Sequence, residues 1–215
     1  MYDHEYVQAW IRNYESGKDF YRVKYLEPHL QQILFGLPPK IKILDIGCGW
    51  GTILKYLQTS HEYYGVDIAD DFFEYIHRTS SHPNITLQHG SLPNDLPVPD
   101  ESFDLGICSM VLHTVADLDQ AIETCFKKIK LGGKLIIIDF NDKTEKMMMS
   151  DPANSLDEKR TGYIRGEVVL ASGIGVKTEV YFHKEEEFER SIEKYCSYEK
   201  KAVGPLFVSY ECVKK

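Results

Sequence analysis

Residues 43–51 read Ile43-Leu44-Asp45-Ile46-Gly47-Cys48-Gly49-Trp50-Gly51, an apolar strand that runs straight into three glycines spaced by single residues. Glycines at 47, 49 and 51 let the backbone turn sharply and approach a ligand that a Cβ would hold off. A helix that begins after such a turn aims free N–H groups outward, a seat for a carboxylate or a phosphate. In a doubly wound sheet this turn is also the crevice where ligands bind. The dinucleotide pattern is G-x-G-x-x-G, whereas the spacing here is G-x-G-x-G with threonine at position 52, which counts against a nicotinamide oxidoreductase. Asp67 ends the following strand, where a carboxylate accepts from ribose hydroxyls.

Outward from this motif the chain alternates short apolar strands with amphipathic helices. The strands are predicted at 41–46, 63–67, 85–89, 103–108 and 134–140, and the helices near 51–59, 70–79 and 117–130, the last ended by Gly132-Gly133. Strands without polar alternation, separated by helices, predict a parallel sheet covered on both faces. Residues 2–35 read as helix, with Tyr2, Tyr6, Trp10 and Tyr14 on one stripe, stopped by Gly36 and Pro38-Pro39. Residues 141–163 match no period and read as a mobile cover or connection. A hairpin is expected over 167–183, turning at Ala171-Ser172-Gly173, then a helix at 185–195 and a last strand near 205–213. The organisation is a helical cap over 1–36 and one α/β domain over 37–215.

Composition narrows the partners. The chain has 215 residues, net charge −8, and 43% hydrophobic and 27% charged residues, as in an ordinary soluble domain. The acidic balance argues against a large nucleic-acid footprint, which needs a basic face. No stretch approaches the roughly 20 apolar residues of a membrane span, and the N-terminus has no signal-peptide pattern. Five scattered cysteines with no C-x-x-C pair read as reduced thiols, and the expected location is cytoplasmic.

The chain resembles the class I S-adenosylmethionine-dependent methyltransferases, in the small-molecule branch often labelled type 11 or 25. The segments that carry the resemblance are LDIGCGWG (44–51), YGVDIA (64–69), HGSLPNDLPVPDESFDLGICSMVLHTV (89–115) and FKKIKLGGKLIIIDF (126–140). It implies a Rossmann-like, seven-stranded, mostly parallel sheet with an antiparallel C-terminal strand, helices on both faces and an N-terminal helical cap. It also implies S-adenosyl-L-methionine as cofactor. Asp45, Gly47, Cys48, Gly49 and Gly51 would frame its methionine end, with Asp45 near the ammonium. Asp67 would take the ribose, Ile68 would pack on the adenine, and Gly90-Ser91-Leu92 would form the adenine loop. Ser91 stands where the family often has aspartate. Cys108, Ser109 and Met110 would line the cofactor beside the transferring methyl.

The Cys108-Ser109-Met110-Val111 stretch is not the Asn/Asp-Pro-Pro-aromatic motif of base and glutamine N-methyltransferases. Nor does it supply the Pro-Cys nucleophile of 5-methylcytosine enzymes or a strand-four aspartate for a metal, so no metal is expected. Methyl transfer from a sulfonium needs alignment and exclusion of water, and a hydroxyl or protonated amine acceptor also needs a base. His113, after the fourth strand, is the candidate catalytic base, with His183 and Tyr181 as weaker ones. The N-terminal aromatic stripe reads first as a buried helix face. Alternatively it lids the pocket, with Tyr14, Tyr21, Arg22 or Tyr25 touching cofactor or acceptor. Met147-Met148-Met149 reads as part of a flexible connector. The expected reaction is methyl transfer to oxygen or nitrogen of a small molecule. An RNA or protein acceptor, or a non-catalytic cofactor-binding module, are the alternatives, and the sequence does not set the oligomeric state.

Overall fold

The computed structural model describes residues 2–94 and 96–215. Met1, where the sequence-based cap begins, and Asp95, inside the 89–115 segment, lie outside the described residues.

Seven strands form the main sheet: β1 (Lys42–Ile46), β2 (Glu62–Asp67), β3 (Ile85–His89), β4 (Phe103–Ser109), β5 (Ile129–Phe140), β9 (Cys196–Val203) and β10 (Phe207–Lys214), in the order β3-β2-β1-β4-β5-β10-β9. The first five are parallel, and β10 lies antiparallel between β5 and β9. The strand order reverses at β1, between β2 on one side and β4 on the other, the switch point at which open α/β sheets leave a crevice. Both sheet faces are apolar, because successive side chains along a strand point opposite ways. Leu135 and Ile137 join the core under α4 (Leu118–Lys128) and α6 (Glu185–Ile192). Ile136 and Ile138 join the other, under α2 (Glu27–Leu34) and the turn Thr52–Tyr56.

A second, three-stranded antiparallel sheet stands apart, made of β6 (Ser155–Arg160), β7 (Tyr163–Val169) and β8 (Gly175–Tyr181). The β7–β8 hairpin turns at 170–174, where Leu170 N–H donates to the Ile174 carbonyl. Between β5 and β6 lies α5 (Thr144–Ser150), so 141–163 is a structured segment and not the mobile connection its composition predicted.

Other boundaries also move. The predicted helix over 2–35 divides at Gly17, whose left-handed backbone caps α1 (His4–Ser16), before a π-helical turn, Arg22–Leu26, leads into α2. The 51–59 helix shortens to the 3-10 turn Thr52–Tyr56. The 117–130 helix ends at Lys128, because Ile129 is pulled into β5 opposite Phe103, and Gly132-Gly133 lies inside the strand rather than ending the helix. Strand β9 was not anticipated. Its sequence, CSYEKKAV, is mostly polar because it forms the sheet edge, where lysine and glutamate discourage further pairing. Helix α3 (Asp71–Thr79) agrees with its prediction.

Candidate functional site

The carboxyl ends of the central strands open into a cavity of about 580 Å³. Its floor holds most of the residues singled out from the sequence: Asp45, Gly47, Cys48, Gly49, Asp67, Ile68, Gly90, Ser91, Leu92, Ser109, Met110 and His113 all line it. Gly51 and Cys108 do not. Strand alternation turns the Cys108 side chain into the core beside Cys125, away from the cavity. Gly51 has a packing role instead: its φ is +74°, and a Cβ there would come within 2.9 Å of Leu54 and 3.0 Å of Ile76.

The glycine turn is shaped by close contacts. Gly47, at φ +69°, leaves no room for a side chain, since a Cβ would lie 2.3 Å from Val111. Gly49 differs. Its φ is +48° and a Cβ would meet nothing within 4 Å, so its missing side chain keeps cavity space open. Asp67 fixes this turn from below, accepting from Gly49 N–H at 2.7 Å and Ala69 N–H at 2.9 Å. Burial pushes the Asp67 carboxyl up, against the pull of those N–H groups.

Asp45 is buried and accepts from the Tyr63 hydroxyl at 2.8 Å. Burial pushes its carboxyl up to about 7, only partly countered by that hydroxyl. A buried carboxylate facing a cavity with so little compensation is suited to a cationic ligand group.

At the other end of the floor, His113 and Asp139 form a pair. Asp139 accepts from the His113 backbone N–H at 3.1 Å, and its other oxygen lies 2.9 Å from His113 Nδ1. Burial raises the Asp139 carboxyl, but His113 and the backbone N–H groups outweigh it and hold the group below the usual range. A carboxylate there selects the tautomer with the proton on Nδ1, which leaves Nε2 as the acceptor. Phe140 packs on the imidazole with ring centroids 4.6 Å apart. Met110, between β4 and His113, holds φ +61°, uncommon for a bulky residue and often found at functional sites. The pairing of Asp139 with His113 was not anticipated from the sequence. The signal was there: β4 and β5 are neighbours, so residues just past their ends meet.

The roof comes from elsewhere. Tyr2, Tyr6 and Trp10 line the cavity while also packing on Phe72 and Trp50, so the aromatic stripe is both buried face and cover. Met147 and Met148 of α5 line it too, as does Thr178 of β8, so the methionine run belongs to a helix over the site and not to a flexible connector. Tyr14 and Tyr25 are off the lining, whereas Tyr21 and Arg22 are on it. His183 and Tyr181 lie away from it, and His183 Nε2 donates to the Val115 carbonyl at 2.7 Å. Among the described residues, no group of three or more His, Cys, Asp or Glu is placed to hold a metal, and no helix is long and apolar enough to cross a membrane.

This arrangement is that of a known class. A family model described as a methyltransferase domain matches residues 44–137. An uncharacterized methyltransferase of Bacillus subtilis is 29% identical over 102 residues, which cover 46% of this chain and 40% of that protein. A ubiquinone biosynthesis O-methyltransferase of Idiomarina loihiensis is 28% identical over 123 residues, 56% of this chain and 49% of that one. The chain thus spans less than half the length of these curated relatives. Among solved structures, a methyltransferase from Aquifex aeolicus superposes with a TM-score of 0.63 over 94% of this chain and 96% of its own, at 15% identity, a likeness of fold. Residues 44–137 match the methyltransferase-domain model, and the chain as a whole has the fold of the class I S-adenosylmethionine-dependent methyltransferases.

Proposed function

We propose that this protein transfers a methyl group from S-adenosyl-L-methionine to an oxygen or nitrogen of a small molecule. The observation that carries this reading is the cavity floor: a buried, weakly compensated Asp45, the open turn at Gly49 and Asp67 at one end, and the His113–Asp139 pair at the other. The cofactor supplies a methyl group on a sulfonium, already joined to a good leaving group.

The protein's part is to bind, orient and exclude water. Asp45 suits the ammonium of the cofactor's methionine end, and Asp67 its ribose hydroxyls, with Ile68 and the Gly90-Ser91-Leu92 loop at the adenine. His113 accepts the proton of an acceptor hydroxyl or ammonium, and Asp139 holds its ring and balances the charge that forms. The apolar roof around Met147 and Met148 covers the acceptor and keeps water out. A small-molecule acceptor accords with the Idiomarina relative being a ubiquinone biosynthesis O-methyltransferase and with the acidic chain, which offers little to a nucleic acid.

Calorimetric titration with S-adenosylmethionine and S-adenosylhomocysteine, beside Asp67→Ala, tests the reading. Micromolar binding that weakens about tenfold or more in the variant is expected. No binding of either nucleoside by the wild-type protein would sink it.

A further inference from the structure

Beyond His113 the cavity changes character. Helix α1 lies as a strap over the cofactor half, packed on Trp50 and Phe72. The other half is walled by Phe140, Leu206 and Phe207 on the sheet side and by Met147, Met148 and Val168 on the roof side. The Phe140 and Phe207 rings stack at 17° with centroids 6.2 Å apart, and Met148 packs in one cluster with Phe140. Flat aromatic faces beside polarisable thioethers favour a ring between them.

Polar groups in this half are spent on the protein itself. The Thr144 hydroxyl donates to the Leu206 carbonyl at 2.7 Å. The Asn154 amide donates to the Met148 carbonyl at 3.0 Å and accepts from Val169 N–H at 3.1 Å. His113 is different: 15% of its side chain stays accessible, and Nδ1 faces Asp139, which leaves Nε2 for a ligand. An acceptor here meets apolar surface and a proton acceptor, and a phenol matches both. A phenol ionises at about pH 10, within reach of an imidazole, whereas an aliphatic hydroxyl lies closer to water's value of about 15.7.

Charge narrows the class further. Five carboxyl groups line the cavity, those of Asp19, Glu27, Asp45, Asp67 and Asp151, against one guanidinium, Arg22, among the described residues. That guanidinium is already engaged, donating to Glu27 and to the Tyr14 carbonyl. Asp151 follows α5 directly and stands exposed at the rim of the methionine wall, where it accepts from Ala153 N–H at 2.9 Å. An anionic group entering this half would give up water for no partner, in a field set by carboxylates.

Resting on the cofactor reading above, we infer that the acceptor is an uncharged phenol, an aromatic ring with an ionisable hydroxyl and no carboxylate, phosphate or sulfate, and that Asp151 helps to turn anionic analogues away. The phenol oxygen bonds to the methyl carbon as the carbon–sulfur bond breaks, the electron pair of that bond stays on sulfur, and the hydroxyl proton passes to His113 Nε2.

The test uses three ligands of similar size: β-naphthol, its ring-carboxylated analogue and naphthylmethanol. Each is titrated calorimetrically into protein saturated with S-adenosylhomocysteine, and each is offered for turnover with S-adenosylmethionine. β-Naphthol should bind about tenfold or more tightly than the carboxylated analogue, the scale of a charge buried without a partner. It should be methylated, and naphthylmethanol should bind but not react. Asp151→Lys should narrow the preference against the anion about threefold, an effect that fades as salt is raised. Asp151→Asn, which can keep the bond from Ala153, should narrow it less. Equal or tighter binding of the carboxylated analogue overturns the inference, as does methylation of naphthylmethanol at the rate of β-naphthol. Failure of β-naphthol to bind or to react, with S-adenosylhomocysteine bound, also overturns it and leaves the cofactor reading intact. An unchanged preference in both variants removes Asp151 from the account. Failure to bind S-adenosylhomocysteine and S-adenosylmethionine removes the cofactor reading and this inference together.

Discussion

The floor and the roof of the cavity are held in different ways. Most floor elements are central strands, β1, β2, β4 and β5, or the turns that follow them, each strand paired on both sides; only the Gly90-Ser91-Leu92 loop follows an edge strand, β3. The roof is α1, α5 and a sheet of three strands, attached mainly at its margins. Asn13 and Ser172 join α1 to the β7–β8 turn, the backbone N–H groups of Asp142 and Glu185 each donate to the other's carboxylate at the base of the insertion, and Glu145 accepts from Lys184 at 2.7 Å and from Gly162 N–H at 2.6 Å. Segments that rest on small apolar clusters and a few polar contacts open at lower cost than strands in the main core. The difference places precise positioning in the floor and ligand access in the roof.

That contrast breaks first at His113 if it is wrong. His113→Asn should lower kcat by roughly 10²–10⁴ for an acceptor that must lose a proton, with cofactor affinity unchanged. A fall confined to KM, read from steady-state kinetics across pH, would make the histidine a packing residue. Next in size is Asp45. Its carboxyl is raised to about 7 by burial, so the folded protein binds a proton that the unfolded chain releases at ordinary carboxylate values. Ligand-free stability should therefore fall as pH climbs from about 4 to about 7 and then level off. Asp45→Asn should remove that fall. Its melting temperature should exceed wild type by roughly 4–8 °C at pH 8, on the order of 2 kcal/mol, with little difference near pH 4. Thermal melts that show the reverse order would mean that Asp45 is compensated in some other way. The smallest effect belongs to the roof. His4→Ala removes an exposed pair, so the melting temperature should stay within about 1 °C, while amides of residues 4–16 exchange faster. Unchanged exchange there would show that the strap is held by its aromatic face alone.

The floor was legible in the sequence because its signals are local: glycines at single spacing, strand-length apolar runs and an aspartate at the end of one. The roof was less so. Ser155–Arg160 reads SLDEKR, with no apolar periodicity, and becomes a strand only because β7 lies beside it. Lys200 and Lys201 mark β9 as an edge only once β10 is known to be its neighbour. Cys108 was placed at the cavity by its position after the apolar run, but the direction of its side chain depends on strand register. The Asp139 partner of His113 required two strands to be adjacent. Arg22 was one of four cap residues named as alternatives, and only the cavity distinguishes it from Tyr14 and Tyr25, which lie off the lining.

The order of the strands also sets a timetable for synthesis. Strand β5 has Ile136, Ile137 and Ile138 at its centre, and one of its two edges is paired only by β10, through Phe140↔Phe207 and onward. Sixty-seven positions separate those two phenylalanines. At roughly 5–20 residues per second, the ribosome leaves that edge open for about 3–13 s. During this interval the nascent chain presents an apolar strand with nothing beside it, a template for a neighbouring chain on the same message. Yield during expression should therefore respond to slower growth temperature and to chaperone supply more than the stability of the finished fold would imply.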